Sequence, residues 1–389
     1  GAMAQRMYSG TTSFTLLAIP FFILAGNLMN TGGMTVRIFG FARSVVGHVR
    51  GGLAHVSVLA SMLFAGVSGA ALAEAMGLGK IEIKAMEDAG FDRSFAAAVT
   101  ASSSTIGPVI PPSIPLVIYG ALAEVSVGEL FLGGVVPGLL MGLAIMAIIV
   151  VLARKRGYPA EQRATLATVM RRFVDGLAGL LAPVIILGGI LGGIFTPTEA
   201  AVAAALYAVL VGAVVYRELT WVDFKAMLWD TIDQTARVMF VIAAAGLFGW
   251  LLIYLRAPAA IVASMTSVSE QPWVILLLMN VVLLVLGCFM EGIAIMLLTV
   301  PIFLPVLAKF GISPLHFGVV MTLNLMVGLL TPPFGMVLYA MSTLARVPIV
   351  KLSRELLPFI FAIIVVLGLI TYIPSLVTWL PHVVMGSRS

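Results

Sequence analysis

Charge is what this sequence has least of. Asp, Glu, Lys and Arg make up 10% of its 389 residues, against about 25% in a soluble domain. With 61% hydrophobic residues and a mean hydropathy of +1.13, a water-soluble fold would lack polar surface to face its solvent. The natural solvent is a bilayer, where a spanning helix takes about 20 mostly apolar residues. Cysteine is nearly absent, and Cys288 alone excludes an intrachain disulfide. The four histidines, His48, His55, His316 and His382, are scattered and sit mostly near segment ends. They form no H-E-x-x-H motif and no His–carboxylate or His–Cys group for a transition metal. No G-x-x-x-x-G-K-S/T run is present, which excludes ATP hydrolysis by that route. Gly66-Val67-Ser68-Gly69 is not a nucleophile elbow, because no partner base accompanies it. An enzyme is therefore not expected. The net charge of +5 does not point to nucleic acid, since the basic residues form short clusters between apolar segments. Gly1-Ala2-Met3-Ala4 carries no signal-peptide pattern and reads as a cloning remnant or the start of a fragment.

What is present is a series of apolar segments, at 13–30, 52–73, 75–87, 94–124, 129–153, 173–194, 198–216, 234–256, 273–290, 292–308, 315–345 and 355–380. Two close-set pairs, 52–90 and 273–308, read as re-entrant hairpins, with Gly66, Ser68 and Gly69 at one apex and Gly287, Glu291 and Gly292 at the other. Segments 94–124 and 315–345 are each interrupted by Gly and Pro-Pro. A bilayer has no water to satisfy the backbone groups that such breaks free, so they survive only inside protein or beside a wet cavity. The pairs repeat at one offset. Gly66 matches Gly287, Gly90 matches Gly311, Gly107 matches Gly328, and Pro111-Pro112 matches Pro332-Pro333, each 221 residues apart. One such match is only a kink; a shared register across a hairpin and a broken helix is an internal repeat.

Lys and Arg give the orientation. Arg154, Lys155, Arg156, Arg163, Arg171 and Arg172 fill one loop, which is expected to be cytoplasmic. Counting spans from it puts 18 of the 22 basic residues on that side, the exceptions being Arg6, Arg256, Lys309 and Arg388. The same count makes the two repeats inverted. The expected fold is an all-α polytopic membrane protein of inverted structural repeats, each with a re-entrant helical hairpin and a broken helix. Its units are 1–153 (helix, arm, hairpin, broken helix, helix 129–153), 154–233 (basic loop, two linking helices, second arm) and 234–389 (helix, hairpin, broken helix, helix 355–380). The arms, near 36–50 and 217–233, mix basic, acidic and aromatic residues such as Trp221, Phe224 and Trp229. They read as interfacial helices, serving either as braces or as simple headgroup anchors.

The chemistry is expected at the breaks. Pro111, Pro112 and Ser113, like Thr331, Pro332, Pro333 and Gly335, end one half-helix and start another. The new N-terminus carries a partial positive charge suited to a carboxylate, and unwound carbonyls beside it suit a bare cation. Ser102-Ser103-Ser104-Thr105 places four hydroxyls before Gly107; they either serve such a site or back-bond to their own helix. Glu291 lies either deep or at an interface. Glu74 is expected to be structural or to hydrate the hairpin tip.

Several runs resemble one family. Phe14 to Gly26 (F-T-L-L-A-I-P-F-F-I-L-A-G), Ser68-Gly69-Ala70-Ala71, Gly107 to Ser113, Phe195-Thr196-Pro197-Thr198-Glu199-Ala200, Pro314 to Gly318 and Thr331-Pro332-Pro333 are similar to the large (M-type) subunit of TRAP, or tripartite ATP-independent periplasmic, transporters. The resemblance covers about residues 4 to 381. It implies an elevator-type ion transporter fold in the inner membrane, coupled to sodium, with no organic cofactor. A small four-helix (Q-type) membrane subunit and a periplasmic substrate-binding protein carrying an organic acid anion would be its partners. Carried over, one sodium region falls at Ser68, Gly69, Ser103, Thr105 and Gly107, and the other at Gly287, Glu291, Asn324, Gly328 and Thr331. Two departures stand out. Ala70-Ala71 replaces hydroxyls often found at that apex, and a preceding hydrophobic helix is lacking, so the chain is a fragment or that helix belongs to another chain. A stand-alone dicarboxylate/sodium symporter is the nearest alternative. An intramembrane enzyme or assembly factor would need a catalytic constellation that is not found.

Overall fold

The computed structural model gives the backbone of residues 2–68 and 71–386, with side chains except those of residues 2, 4, 6, 66–68 and 253. Among the described residues there are eighteen α-helices and no strand. First come α1 (Ala2–Thr11), a 3-10 turn at Phe14–Leu17, α2 (Ala18–Thr31) and α3 (Met34–Val46). The first hairpin is α4 (Gly52–Ser68) and α5 (Ala71–Asp88), and the first broken helix is α6 (Arg93–Ser104) and α7 (Ile114–Ala123). Then follow α8 (Val127–Arg156), α9 (Leu166–Leu191), α10 (Pro197–Leu210), a π-helical turn at Val211–Val215, α11 (Trp221–Tyr254) and α12 (Ala257–Val268). The second hairpin is α13 (Pro272–Gly287) and α14 (Gly292–Phe310), the second broken helix α15 (Pro314–Leu330) and α16 (Met336–Ala345), and α17 (Ile349–Tyr372) and α18 (Ser375–Met385) close the chain. By length and composition, seven of the described helical segments could cross a membrane.

The repeat has a structural counterpart. The helices α13 to α17 each begin 220 to 222 residues after α4, α5, α6, α7 and α8 in turn. Left-handed residues close matched corners: Gly90 and Gly311 end the hairpins, and Glu124 and Arg346 follow α7 and α16. Both Pro-Pro peptide bonds, 111–112 and 332–333, are cis. Local chemistry sets these boundaries. Asp92 caps α6 by accepting the Ser94 N–H at 2.7 Å. Thr196 and Glu199 form a reciprocal capping box at α10.

The second arm is not where the sequence places it. Residues 217–233 do not form a separate interfacial helix, because α11 runs unbroken from Trp221 to Tyr254. No Gly or Pro lies between Trp221 and Ala245 to stop it. At about 1.5 Å per residue such a helix outreaches a hydrocarbon core of about 30 Å, so its aromatic and charged start belongs to the same rod. The element that matches α3 in the repeat is α12, which starts 223 residues later, after left-handed Arg256. Likewise 355–380 is two helices, divided at Ile373-Pro374.

Burial ranks the elements. In α6 every residue from Ser94 to Ser104 is buried, and in α15 every residue from Leu315 to Gly328. A helix buried all round belongs in the centre of a large assembly of helices. By contrast α12 buries none of its residues, and α9 and α11 expose Val184, Phe240 and Tyr254. Polar ties hold the periphery. Arg37 pairs with Glu218 at 2.7 Å and lies 3.8 Å over the Tyr216 ring, fixing α3 to the turn before α11. Arg43 pairs with Glu161 at 2.5 Å, and Lys351 reaches Asp92 at 3.5 Å. The α3 arm thus braces two loops as well as lying along α9.

Candidate substrate and cation site

At the first break α6 unwinds through turns rather than ending in open chain. The N–H groups of Ile106 and Gly107 donate to the Ser103 and Ser104 carbonyls at 3.0 and 3.3 Å, and that of Val109 to Ile106 at 3.0 Å. Pro108, Pro111 and Pro112 have no N–H to satisfy, which lets this segment be buried without orphan donors. Helix α7 restarts on Ser113, whose Oγ accepts the Leu116 N–H at 3.2 Å and donates to the Pro108 carbonyl. Small residues on α8 admit the loop: a Cβ on Gly134 would lie 2.2 Å from the Val109 carbonyl oxygen. Ser113→Ala removes the cap of α7 and is expected to cost about 1 kcal/mol, read as a lower melting temperature of the purified protein.

The four hydroxyls do back-bond. Ser102 donates to the Ala98 carbonyl at 2.8 Å, Ser103 to Thr100 at 3.1 Å, Ser104 to Ala101 at 2.9 Å and Thr105 to Ser102 at 2.6 Å. Donation uses each proton and leaves oxygen lone pairs as acceptors, so the bond to the helix does not remove a hydroxyl from a cation site. Ser103 also lies 3.2 Å from Ser57 Oγ of α4. The Ser68 side chain and Gly69 lie outside the described residues.

Sequence reasoning underrated one neighbour. Glu74 of α5 is buried, and a Cβ on Gly107 would lie 2.6 Å from its Oε2. Neither of its carboxylate oxygens has a hydrogen-bond partner of good geometry, although Ser61 and Glu82 lie within electrostatic reach. A glycine at 107 is thus what lets the carboxylate meet the break. Glu82, Ser57 and Thr100 were missed altogether, although Glu74 and Glu82 share a helix face at a spacing of eight residues.

The second break is tighter. Thr331 N–H donates to Gly328 at 3.1 Å, Thr331 Oγ1 to Val327 at 2.7 Å, and Gly335 N–H to the Thr331 carbonyl at 3.1 Å. A Cβ on Gly335 would lie 2.7 Å from the Leu329 carbonyl oxygen, so the turn admits no side chain there. The hairpin tip docks directly onto it. Phe334 N–H donates to the Cys288 carbonyl at 3.1 Å, and Gly287 and Gly328 press backbone to backbone. Asn324 donates to the Asn280 carbonyl at 3.0 Å and to Asn280 Oδ1 at 2.7 Å. Asn280 in turn donates to Leu276 at 3.0 Å and Thr371 Oγ1 at 3.2 Å. Asn324 Oδ1 is left buried and unpartnered, an oxygen acceptor with free lone pairs beside the glycine contact. Of the second region, the fold brings Gly287, Asn324, Gly328 and Thr331 together. Glu291 has a local task, capping α14 by accepting the Ala294 N–H at 3.1 Å.

The breaks differ in exposure. Pro111, Pro112 and Ser113 are buried, whereas Pro332, Pro333 and Phe334 are exposed. A small cavity of about 20 Å³, enough for one water, lies between the hairpin arms, α2 and the start of α7, and includes Asn27, Asn30 and Gln234.

Two broken helices, each met by a hairpin, define a multi-pass membrane transport protein rather than an enzyme. The chain belongs to the family described as "Tripartite ATP-independent periplasmic transporter, DctM component", which matches residues 1–376. It is 46% identical over 98% of its length to the sialic acid TRAP transporter large permease protein SiaM of Vibrio cholerae, covering 90% of that protein. It is 42% identical over 98% of its length to the C4-dicarboxylate TRAP transporter large permease protein DctM of Pseudomonas aeruginosa, covering 89% of it. In fold it is similar to the YdaH transporter of Alcanivorax borkumensis, with a TM-score of 0.68 over 98% of this chain and 88% of that one, at 16% identity.

Proposed function

We propose that the chain is the sodium-coupled translocating subunit for an organic acid anion, moving the hairpin and broken-helix unit as an elevator. The observation that carries this is the paired construction: a hairpin packed on a helix break in each repeat, through Glu74 and Ser57 of its arms at the first and through the tip at the second, with unpartnered oxygens at both. At the first, Glu74, Ser103, Thr105 and the unwound carbonyls near Gly107 supply oxygen ligands for a hard cation. At the second, Asn324 Oδ1 does so, with Thr331 and the backbone at Gly287 and Gly328. The N-termini of α7 and α16, started by Ser113 and Gly335, offer partial positive charge to the substrate carboxylate. Among the described residues no dense basic cluster lies at either break, so helix ends and hydroxyls receive the anion. The names of the relatives, sialic acid and C4-dicarboxylate permeases, support an organic acid as cargo. A small four-helix membrane subunit completes the scaffold, a periplasmic binding protein delivers the anion, and the site of action is the inner membrane.

The test is uptake of labelled organic acids into proteoliposomes holding this chain with its small subunit. Flux that needs both the binding protein and an inward sodium gradient is expected. Flux indifferent to the binding protein would make the chain a stand-alone symporter, and flux indifferent to sodium would refute the coupling.

A further inference from the structure

Behind the first break, three oxygens stand in file across α5, α4 and α6. Glu82 Oε2 lies 2.6 Å from Ser57 Oγ, Ser57 Oγ lies 3.2 Å from Ser103 Oγ, and Ser103 Oγ lies 3.1 Å from the Thr100 carbonyl oxygen. All three side chains are at most 1% exposed. The file ends on a carbonyl, which only accepts, and each serine has a single proton to give. Three contacts need three protons, and the serines supply two. An ionised Glu82 takes the Ser57 proton, so Ser57 and Ser103 then face each other with none between them. A protonated Glu82 supplies the third, and every contact fills in one direction, from Glu82 to the carbonyl. Glu82 Oε1 is also buried without a partner, and Thr100 Oγ1 faces the same carboxyl without reaching hydrogen-bond geometry.

No described cation neutralises this carboxyl. Helices α4, α6 and α16 pack against α5. Their titratable groups are His55 on α4, Arg93 at the start of α6 and Tyr339 on α16, with Arg346 just beyond it. Arg93 pairs with Glu87, while Tyr339, Arg346, Lys80 and Lys84 are exposed. The other buried acid of the same helix, Glu74, lies within electrostatic reach of Glu82.

We propose that Glu82 is a proton-binding site whose proton competes with the cation held at Ser103. With the proton on Glu82, the file is complete and Ser103 Oγ accepts from Ser57. When the proton leaves, Ser57 turns its own proton to the carboxylate, and Ser103 regains that lone pair for a cation. One positive charge leaves as one arrives, so the buried site stays balanced. This rests on Ser103 belonging to the first cation region.

The experiment is ²²Na⁺ binding to the purified full chain in detergent from about pH 6 to pH 8, with choline replacing sodium as the blank. A one-for-one exchange weakens sodium binding by up to roughly tenfold per unit fall in pH. Glu82→Gln, whose amide donates permanently to Ser57, is expected to show weak binding at every pH. Ser57→Ala, which cuts the file and leaves only the charge exchange at Glu82, is expected to show a shallower pH slope than wild type. His55→Gln is expected to keep the wild-type slope. A pH slope unchanged in both Glu82→Gln and Ser57→Ala, or abolished by His55→Gln, overturns the proposal while leaving sodium coupling intact. Absence of sodium binding to the wild-type chain at any pH overturns it together with the sodium reading.

Discussion

Gly328→Ala is expected to reduce sodium-driven uptake by roughly ten- to a hundredfold, from a protein that still inserts and purifies. The added Cβ would lie 2.7 Å from Gly287 Cα and 2.8 Å from its carbonyl oxygen. These are backbone atoms, so no rotamer change relieves the contact, and the hairpin tip must back away from α15. Overpacking of this kind costs about 1–3 kcal/mol, which corresponds to roughly the stated loss if it falls on cation binding. Asn324 and Gly328 share one face of α15, so the separation opens the cation region itself. The control is Gly368→Ala on α17, where an added Cβ meets nothing within 4 Å. Alanine is favoured over glycine in a helix by roughly 1 kcal/mol, so this variant is expected to transport normally and melt no lower than wild type. Equal losses in both variants would show that generic helix perturbation, not the glycine contact, governs transport.

Asn324→Leu is expected to raise the sodium concentration for half-maximal uptake by at least roughly tenfold, because it removes an acceptor and two donated hydrogen bonds together. The bonds hold α15 to Asn280 of α13, and leaving their buried acceptors unmet costs about 1–3 kcal/mol each. The two roles separate with Asn324→Asp. It keeps the Oδ1 acceptor that is unpartnered in the wild type, turns the donating amide into a second carboxylate oxygen facing the Asn280 acceptors, and adds a negative charge that favours a cation. Better sodium affinity in Asn324→Asp than in Asn324→Leu is the expected order. Equal defects would assign Asn324 to helix packing alone.

The sequence carried much of this because its signals are periodic or local. The 221-residue register is visible in Gly107, Gly328 and the two Pro-Pro pairs, and it anticipates five helix pairs. Breaks are legible since Pro and Gly act on their own backbone. The second arm was not legible in the same way. Trp221, Phe224 and Trp229 mark an interface whether the helix stops there or continues, and nothing before Arg256 distinguishes the two. Interhelical partners were hidden for another reason. Ser57 meets Glu82, and Asn280 meets Asn324, across 25 and 44 residues of chain, and which faces of four helices converge is decided by packing. Glu82 was nonetheless discoverable, as the second acid on the buried face of α5. Glu291 shows a second task that the sequence did not announce: besides its place at a hairpin apex, it caps the unpaired N–H of its own helix.

The most direct test of the two-region account is anomalous diffraction from crystals of the protein soaked in thallium(I), a heavy monovalent cation. The account predicts one peak between Glu74, Ser103 and Gly107, and a second beside Asn324 Oδ1 and the Gly287–Gly328 contact, both diminished by added sodium. Peaks elsewhere, or peaks that sodium does not displace, would contradict it.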